Sequence, residues 1–589
     1  MLEIRRFSIL CMSVLFGIEA YTATPSPAHV EVVKQGTDHY ALHVDGKPYH
    51  VHGITFSKPR EGESLDDAMR DIASMGCNTV RTWDAKNKDA LLQAAHAHGL
   101  KVVLGLWLYH PRPSNDSNNS FNWYDAGGKE KLFKQRMRSV ERYRNHPALL
   151  MWGVGNEVIL HMRNDEEKKT YCQFVERLCK EIHKVDPHHP TTSASAHVVS
   201  WKHWAKHCPS LDIFGSNVYG NGRYLPRIMR ELKLDKPFLV TELGPRGSWL
   251  APSDRNGMKV DATDVEKYET ITGSYKTWIK PSENCLGVCT FNYTDGLSDC
   301  HVVLTSFVSA SRRPLYWATR EAFTGKPPTN PLPSIAEFEL GPDTAGKGQW
   351  IEARLVATDA DATAVTFHWY DLHGNPWRTD GVKTLESVGD LARGFAVRAP
   401  ERAGLAKVYA FVRDAAGNLS VATTSMIVTD EPSPQALSQP PERLTRRPEP
   451  VKKEPVAIAP PPSRPKASEE ARSMFTALLV ERAVAAAGRG HDVSFTCSVA
   501  RQRVTVRGAD ESQITVRGTR MPVDMSFAWN RLNDGDLRSL ALGLLRTGNK
   551  ADHAVVAFFM KVVGEEDLAR DHLARAGEYA ALVEHAFAR

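Results

Sequence analysis

The chain alternates short apolar runs with longer segments in which apolar residues recur every three or four positions. Eight of the runs have the length and composition of strands: YHVHGITF, NTVRTW, KVVLGLWLY, ALLMWGVG, TTSASA, LDIFGSNVY, PFLVTEL and CLGVCTFNY. The segments between them have helical periodicity, and Gly76, Gly99 and Pro187 stand where helices should end. This order predicts a (β/α)8 TIM barrel over residues 24–328. A doubly wound open sheet is the alternative, but no glycine-rich phosphate turn follows the first strand.

The pattern changes after the segment KPPTNPLP. Residues 333–430 alternate apolar and polar positions between Gly, Asp and Asn turns, and VRDAAGNLS resembles immunoglobulin- or fibronectin-like modules. We therefore expect a β-sandwich there, either a spacer or a polysaccharide-binding module. Residues 431–468 are rich in proline and predict a disordered, extended linker. Residues 469–589 combine β-like segments with Ala- and Leu-rich helices, so we expect a mostly helical α+β domain that serves attachment or assembly.

The first residues have the pattern of an export signal. Arg5 and Arg6 precede the apolar run FSILCMSVLFGI, which is followed by small residues and Pro25. This predicts a signal peptide over residues 1–23 and a secreted or periplasmic protein. The run is shorter than the roughly 20 apolar residues that span a bilayer, and no later segment of the sequence predicts a membrane span.

The amino-acid composition gives no support for nucleic-acid binding or for a metal site. The net charge is +5, with 42% hydrophobic and 24% charged residues, which is ordinary for a globular protein and gives no indication of a nucleic-acid partner. The nine cysteines show neither CxxC nor Cys/His metal spacing. We therefore predict no metal and no cofactor.

Two glutamates stand where predicted strands end. Glu157 follows ALLMWGVGN, and Glu242 lies in FLVTELG. In a TIM barrel the strand C-terminal ends gather the catalytic side chains, so these two carboxylates are expected to face each other across the barrel mouth. Such a pair suits glycoside cleavage, in which one carboxyl protonates the leaving oxygen and the other attacks the sugar carbon. Two loop glutamates of ordinary exposure are the alternative.

The segments around these glutamates carry a family resemblance over residues 45–325. RYRNHPALLMWGVGNEV resembles the strand 4 signature of the retaining β-glycosidases of glycoside hydrolase clan A (the 4/7 superfamily), and is most similar to the family 2 barrel domain. VTELG resembles the nucleophile strand of the same clan. Both segments are also similar to those of the β-1,3-glucanosyltransferases of fungal walls.

The resemblance implies a role for each matching residue. Glu157 is expected to be the acid/base, with Asn156 bonding the sugar 2-hydroxyl, and Glu242 is expected to be the nucleophile. Arg81 matches the arginine that keeps the nucleophile ionised, because a nearby guanidinium favours the charged carboxylate. Tyr219 matches the tyrosine that hydrogen-bonds the nucleophile.

Other substrate-binding candidates lie at neighbouring strand ends. Asn217 stands where some clan members have a histidine, and His110 fits the clan's strand 3 histidine or is a solvent-exposed loop residue. Asp84 lies near Trp83 and Trp107, which either line the cleft or pack between barrel and helices.

Strand 8 departs from the clan pattern because CTFNYTDG has no tryptophan, so Phe291 or Tyr293 is expected to stack on the sugar. The sequence as a whole predicts a secreted retaining β-glycoside hydrolase or transglycosylase acting on an oligo- or polysaccharide. A catalytically inactive, carbohydrate-binding barrel with attachment modules is the alternative.

Overall fold

The computed structural model describes twelve stretches of the chain: residues 26–112, 120–330, 332–357, 362–371, 381–445, 469–488, 494–497, 502–510, 512–518, 524–544, 550–563 and 566–587. The predicted signal peptide lies outside these residues. The chain divides into two compact units, residues 1–449 and 450–589, and each is described by itself.

A small antiparallel sheet closes one end of the barrel. Its strands are β1 (Val30–Gly36), β2 (His39–Val44) and β3 (Lys47–Tyr49). Every second residue of β2 is buried, and Tyr40 and Leu42 share a core with Val103, Ile213 and Leu239 of the barrel strands. The strand-and-helix order of the sequence does not predict this sheet. Because it packs on the N-terminal ends of the barrel strands, this sheet leaves the C-terminal strand ends uncovered.

Eight parallel strands form a closed barrel, as the sequence predicts, with the first strand pairing with the last. Nearly all of their residues are buried because each strand has the barrel interior on one side and helices on the other. The strands are β4 (Val51–Phe56), β5 (Thr79–Arg81), β6 (Lys101–Leu106), β7 (Leu149–Asn156), β8 (Thr191–Ala196), β9 (Ile213–Tyr219), β10 (Phe238–Gly244) and β11 (Cys285–Tyr293).

Helices that alternate with these strands cover the barrel. Ser64 and Asn164 cap two of them by accepting a backbone N–H, which explains where those helices begin. Tyr171, Val175 and Leu178 lie on one stripe and are buried against the strands. The helices are α1 (Leu65–Ser74), α2 (Asp89–Ala97), α3 (Ala126–Tyr143), α4 (Asp165–Val185), α5 (Trp201–His207), α6 (Leu225–Glu231) and α7 (Asp264–Ser274).

Short elements lead from the barrel to a β-rich region. They are α8 (Asp299–Leu304), β12 (Phe307–Val308), β13 (Ser311–Arg312) and α9 (Pro314–Thr324). The strands of the β-rich region are β14 (Ile335–Gly341), β15 (Thr344–Gly346), β16 (Trp350–Ala357), β17 (Ala362–Asp371), β18 (Val382–Thr384), β19 (Ser387–Asp390), β20 (Gly394–Arg398), β21 (Gly404–Asp414) and β22 (Leu419–Thr429).

The β-rich region consists of two sheets with a common core. One sheet has the order β14-β16-β20-β19, and the other has the order β15-β22-β21-β17-β18. Ile351 and Val397 of the first sheet pack with Phe367 and Val408 of the second. Two sheets sharing a core agree with the predicted sandwich, whereas its immunoglobulin or fibronectin type stays a prediction.

A buried charge cluster joins the barrel to this region. Lys407 Nζ on β21 lies 2.8 Å from a carboxylate oxygen of Asp261 and 2.8 Å from one of Asp299. The side chains of all three residues are less than one tenth exposed. Burying a charge is costly unless it is paired, so the two parts of the unit depend on one another for this cluster.

The segment after β22 packs onto the sheet. Leu437 exchanges backbone hydrogen bonds with Trp350, and Leu444 on the short helix α10 (Glu442–Thr445) is 2% exposed. The predicted disordered linker, residues 431–468, is therefore ordered over residues 431–445, because apolar side chains among the prolines find a buried site. Residues 446–468 lie outside the described part of the chain.

The C-terminal unit combines helices with an antiparallel four-stranded sheet of order β23-β24-β25-β26. Within it Phe475 stacks on Phe558 in a core formed by helices and sheet together. Its elements are α11 (Glu469–Gly488), β23 (Ser494–Cys497), β24 (Gln502–Ala509), β25 (Gln513–Gly518), β26 (Asp524–Ala528), α12 (Asp534–Leu544), α13 (Lys550–Val563), α14 (Glu566–Arg575) and α15 (Ala580–Phe587).

Across the described residues, no helix combines the length and the apolar character that a bilayer crossing requires. The eight cysteines in the described part of the chain are buried free thiols.

Candidate active site

The carboxylate of Glu242 accepts three hydrogen bonds at the C-terminal end of β10. Arg81 Nη1 donates to its Oε1 at 2.7 Å and Trp83 Nε1 donates to the same oxygen at 2.9 Å. Tyr219 OH donates to Oε2 at 2.6 Å. Glu242 is only 4% exposed. A buried carboxylate that accepts at both oxygens, once from a guanidinium, is held in a fixed position.

Tyr219 keeps its proton in this arrangement. Burial raises the pKa of the phenol well above its usual value, and the charges of Glu242 and Glu157 raise it further. The hydroxyl therefore remains a donor to Glu242 throughout the ordinary pH range.

Asparagine side chains connect the two glutamates. Asn217 Nδ2 donates to Glu157 Oε1 at 2.8 Å and to Asn156 Oδ1 at 3.1 Å. Arg81 Nη2 donates to the same Asn156 oxygen at 2.8 Å. A continuous path of hydrogen bonds thus runs from Glu157 through Asn217, Asn156 and Arg81 to Glu242. The predicted pair of carboxylates is therefore brought to the same end of the barrel.

A hydrogen bond from a neighbouring strand fixes the orientation of the Asn217 side chain. Thr241 Oγ1 donates to Asn217 Oδ1 at 2.7 Å, so the amide nitrogen is turned toward Glu157. Asn217 also stands opposite Glu242 in the register between β9 and β10. The sequence predicts neither the hydrogen bond of Thr241 to Asn217 nor this register, because strand pairing is a property of the folded barrel.

Glu157 occupies a different environment from Glu242. It follows the last residue of β7, has a left-handed backbone with φ of 52°, and is partly exposed. Its N–H donates to Ala194 O at 2.9 Å, which anchors it to β8. A left-handed glutamate costs roughly 1–3 kcal/mol and is held only where its surroundings impose it, which is typical of functional positions. The result is one buried carboxylate and one that solvent or a substrate can reach.

His110 supports the site from one side. Its Nε2 lies 3.0 Å from Asn156 O, and its ring stacks on His161 with centroids 4.5 Å apart. Since a carbonyl only accepts, Nε2 is the protonated nitrogen. His110 is 1% exposed, so it is not a solvent-exposed loop residue, and it contacts the backbone beside Glu157.

Tyr293 is not in the site, and its prediction as a substrate-binding residue is wrong. Its hydroxyl donates to Glu63 and Asp71 at 2.9 and 3.0 Å, and the residue is fully buried outside the barrel interior. The pairing of β11 with β4 shifts register between Thr290 and Tyr293. Such an irregularity breaks the alternation of side chains, so Tyr293 does not follow Phe291 onto the same face.

Phe291 lies beside the two aromatic residues that donate to Glu242. Its ring centroid is 5.6 Å from that of Tyr219 and 6.0 Å from that of Trp83. Trp249, which the sequence does not single out, is 51% exposed and packs edge-on against Tyr219 at 5.3 Å. In the sequence, Trp249 is recognisable only as the aromatic residue of the segment PRGSW, directly after the Glu242 strand.

Asp84 follows Trp83 in the chain, and its carboxylate bonds two lysines outside the cluster. Its carboxylate accepts from Lys86 N at 2.8 Å and pairs with Lys88 Nζ at 3.2 Å. It lines a cavity of about 270 Å³ together with Trp107.

The structure thus brings together six of the predicted site residues, with His110 behind them, and adds Trp83 as a direct donor to Glu242. The six are Arg81, Asn156, Glu157, Asn217, Tyr219 and Glu242.

Comparison with known proteins relates the barrel to a family of glycosyl hydrolases. Residues 37–275 match the family model described as glycosyl hydrolases family 2, TIM barrel domain. Over 226 residues the chain is 22% identical to the β-galactosidase BoGH2A of Bacteroides ovatus, covering 33% of this chain and 25% of that protein. Over 190 residues it is 27% identical to a β-glucuronidase of Pongo abelii, covering 30% and 26%. These matches confirm the predicted resemblance to the family 2 barrel.

The matches span about a quarter of the length of these two relatives. Among solved structures, a β-glucuronidase of Bacteroides uniformis aligns over 68% of this chain and 48% of that chain, with 15% identity and a TM-score of 0.38.

Proposed function

We propose, on the premise that residues 37–275 match the family 2 glycosyl hydrolase barrel, that this protein is a retaining β-glycosidase. The observation that carries the proposal is the environment of Glu242. A buried carboxylate with an arginine, a tyrosine and a tryptophan donating to it is fixed in place and paired with a cation. These are the properties of a nucleophile that attacks a sugar carbon.

Glu157 is the acid/base in this proposal. It is partly exposed and lies on the opposite side of the hydrogen-bond path from Glu242, so it can reach the leaving oxygen and afterwards a water molecule. The donor from Asn217 holds one oxygen and orients the carboxyl group.

The reaction would proceed in two displacements at the anomeric carbon. Glu242 attacks the carbon while Glu157 gives its proton to the departing oxygen, and a glycosyl-enzyme forms. Glu157 then takes a proton from water, which releases the sugar with its original configuration. We expect the two carboxyl groups to lie about 5–5.5 Å apart, as in retaining enzymes. A sugar hydroxyl in place of water would give transglycosylation by the same steps.

The aromatic side chains support a carbohydrate substrate. Phe291 and Tyr219 form one wall beside Glu242, and the exposed Trp249 extends it toward solvent. Aromatic faces stack on the apolar faces of sugar rings, and a wall of this length suits an oligo- or polysaccharide.

The proposal also includes export of the protein, guided by residues 1–23, and attachment or assembly through residues 469–589.

A panel of 4-nitrophenyl β-glycosides tests the activity. The full-length protein should release nitrophenol from at least one of them, and Glu242→Gln should abolish that release because an amide forms no glycosyl-enzyme. Glu266→Gln is the matched control, since Glu266 is the exposed N3 residue of the α7 capping box. Nitrophenol release by Glu242→Gln at the wild-type rate would contradict the proposal and favour an inactive, carbohydrate-binding barrel.

A further inference from the structure

The cavity that Asp84 lines contains a guanidinium that has no carboxylate partner among the described residues. The cavity lies between the C-terminal ends of β5 and β6 and helix α3, and its lining includes Asp84, Lys86, Trp107, Tyr109, Gln135 and Arg136. Arg136 Nε donates to Trp107 O at 2.7 Å. Within the described part of the chain, no carboxylate oxygen lies within 4 Å of the Arg136 side chain nitrogens. The Asp84 carboxylate thus attracts the partly buried charge of Arg136 without forming an ion pair with it.

The surroundings of Arg136 favour an anion. Burial lowers the pKa of Arg136 from its ordinary value, which reflects the cost of holding the positive charge there. Lys86 adds a second positive charge to the lining. Asp84 is the opposing carboxylate, but it already pairs with Lys88 and accepts from the N–H of Lys86. A negatively charged ligand group would gain a charge-assisted, bidentate hydrogen bond to Arg136.

The walls of the cavity suit a sugar. Trp107 and Tyr109 are both partly exposed, and the Arg136 guanidinium lies 5.7 Å from the centroid of the Tyr109 ring. The volume of about 270 Å³ is near the lower end of the roughly 300–1,000 Å³ of small-molecule pockets. It has room for about one sugar unit, with Gln135 as a further polar group.

The cavity adjoins the candidate active site through two direct links. Asp84 follows Trp83, whose indole donates to Glu242. Trp107 lies 5.6 Å from the ring of His110, which bonds the backbone beside Glu157. A saccharide that extends from the carboxylates along this edge of the barrel would therefore reach Arg136.

We propose that this cavity is an accessory subsite that binds the anionic group, a carboxylate or a sulfate ester, of an acidic sugar unit next to the unit that is cleaved. The inference rests on the proposed glycosidase function and names its substrate class as an acidic oligosaccharide. Recognition depends on Arg136 as the charged anchor and on Trp107 as the stacking face.

Direct binding tests this proposal independently of catalysis. The full-length protein carrying Glu242→Gln is titrated by calorimetry with cellobiose, with cellobiouronic acid and with a cellobiose sulfated at one primary hydroxyl. Because the variant is not required to turn the sugars over, a failure of the proposed function would appear in the nitrophenyl panel and not in the titration. We expect an acidic disaccharide to bind about 10-fold or more tightly than cellobiose, as a charge-assisted hydrogen bond predicts.

Substitutions of Arg136 decide whether that preference comes from the cavity. Arg136→Gln should remove the preference and leave the affinity for cellobiose unchanged, while Arg136→Lys should keep it in part because the charge remains. Arg138→Gln, an exposed arginine on the same helix, is the matched control and should keep it fully. Thermal unfolding of each variant shows that the fold is retained.

Preference for the uronic acid alone or for the sulfate ester alone identifies the anionic group. Equal affinity for acidic and neutral sugars, no binding of any of the three, or a preference that survives Arg136→Gln would overturn the proposal.

Discussion

Arg81 Nη1 lies 2.7 Å from Glu242 Oε1, and both side chains are 5% exposed. The two residues come from strands β5 and β10, which are not neighbours in the barrel. The guanidinium therefore spans the barrel mouth, and its second nitrogen bonds Asn156, which adjoins Glu157. One side chain thus sets the position of both ends of the candidate site.

Replacing Arg81 should affect both activity and stability. Arg81→Gln leaves the carboxylate of Glu242 buried without its ionic partner, so the free energy of unfolding should fall by about 3–5 kcal/mol. The rate constant kcat should fall by about 10–100-fold or more, since a charge-assisted hydrogen bond to the nucleophile is lost. Denaturant unfolding and steady-state kinetics measure the two effects.

Arg142→Gln is the control for Arg81, because Arg142 pairs with Asp89 at the surface, where the two side chains are 60% and 55% exposed. It should change neither quantity measurably, since exposed pairs contribute little. Wild-type activity in Arg81→Gln would show that Glu242 does not need Arg81 to act as the nucleophile.

Phe291 and Tyr293 lie on different faces of strand β11, so we expect different effects on KM and on stability when each is replaced. Phe291→Ala removes a ring beside Tyr219 and Trp83 and should raise KM for a sugar substrate. Tyr293→Phe should leave KM and kcat unchanged. It removes the donor to Glu63 and Asp71 and should lower the free energy of unfolding by about 1–3 kcal/mol. A raised KM in Tyr293→Phe, with unchanged stability, would show that the hydroxyl faces the substrate.

The charge cluster around Lys407 should stabilise the barrel and the β-rich region together. Lys407→Met leaves Asp261 and Asp299 buried without their cation, and we expect a loss of about 3–5 kcal/mol in the free energy of unfolding. Lys347→Met removes an ion pair with the exposed Asp430 and should have little effect. Equal stability of the two variants would mean that the cluster contributes nothing net.

The pair His183 and Asp212 predicts a pH-dependent stability. The hydrogen bond that His183 donates to the Asp212 carboxylate raises the pKa of His183 above its ordinary 6.5, although burial opposes the shift. A raised pKa in the folded state means that this contribution is complete below the unfolded value and is lost as the pH rises through the folded value. Asp212 has a lowered pKa despite its burial, so its part is lost only as the pH falls below the ordinary 3.8.

His183→Gln should therefore destabilise the protein more at about pH 5.5 than at about pH 8.5. Denaturant unfolding at both values measures the difference. His207→Gln is the control, because burial lowers the pKa of His207 and the same pattern is not expected. An equal loss at both pH values for His183→Gln would show that the pair is not ionised in the folded protein.

The sequence predicts the barrel because its alternation of strands and helices repeats along the chain. Eight apolar runs in a regular alternation with helices specify a barrel, and the end of a barrel strand is a known place for a catalytic residue, so Glu157 and Glu242 are found from their positions. Arg81, Asn156, Asn217 and Tyr219 follow from resemblance to a family, and the structure brings them to the same cluster.

What the sequence does not reveal depends on contacts between distant segments. Trp83 is recognisable as an aromatic near a strand end, but its bond to Glu242 joins the segment after β5 to β10, a strand that is not adjacent to β5. The position of Tyr293 depends on a register shift that no alternation pattern contains. The ordered segment around Leu444 contradicts a disorder prediction made from composition, because a few apolar residues suffice where a neighbouring sheet offers a buried site.

The anomeric configuration of the product formed with azide tests the central assignment most directly. Glu157→Ala should still form a glycosyl-enzyme from a substrate with a good leaving group, and azide, which needs no general base, should attack it to give the β-glycosyl azide. Glu242→Ala forms no intermediate, so azide should attack the substrate itself and give the α-glycosyl azide. Nuclear magnetic resonance of the two products distinguishes these outcomes. The β-azide from Glu242→Ala and the α-azide from Glu157→Ala would contradict the assignment and show that the two glutamates exchange roles.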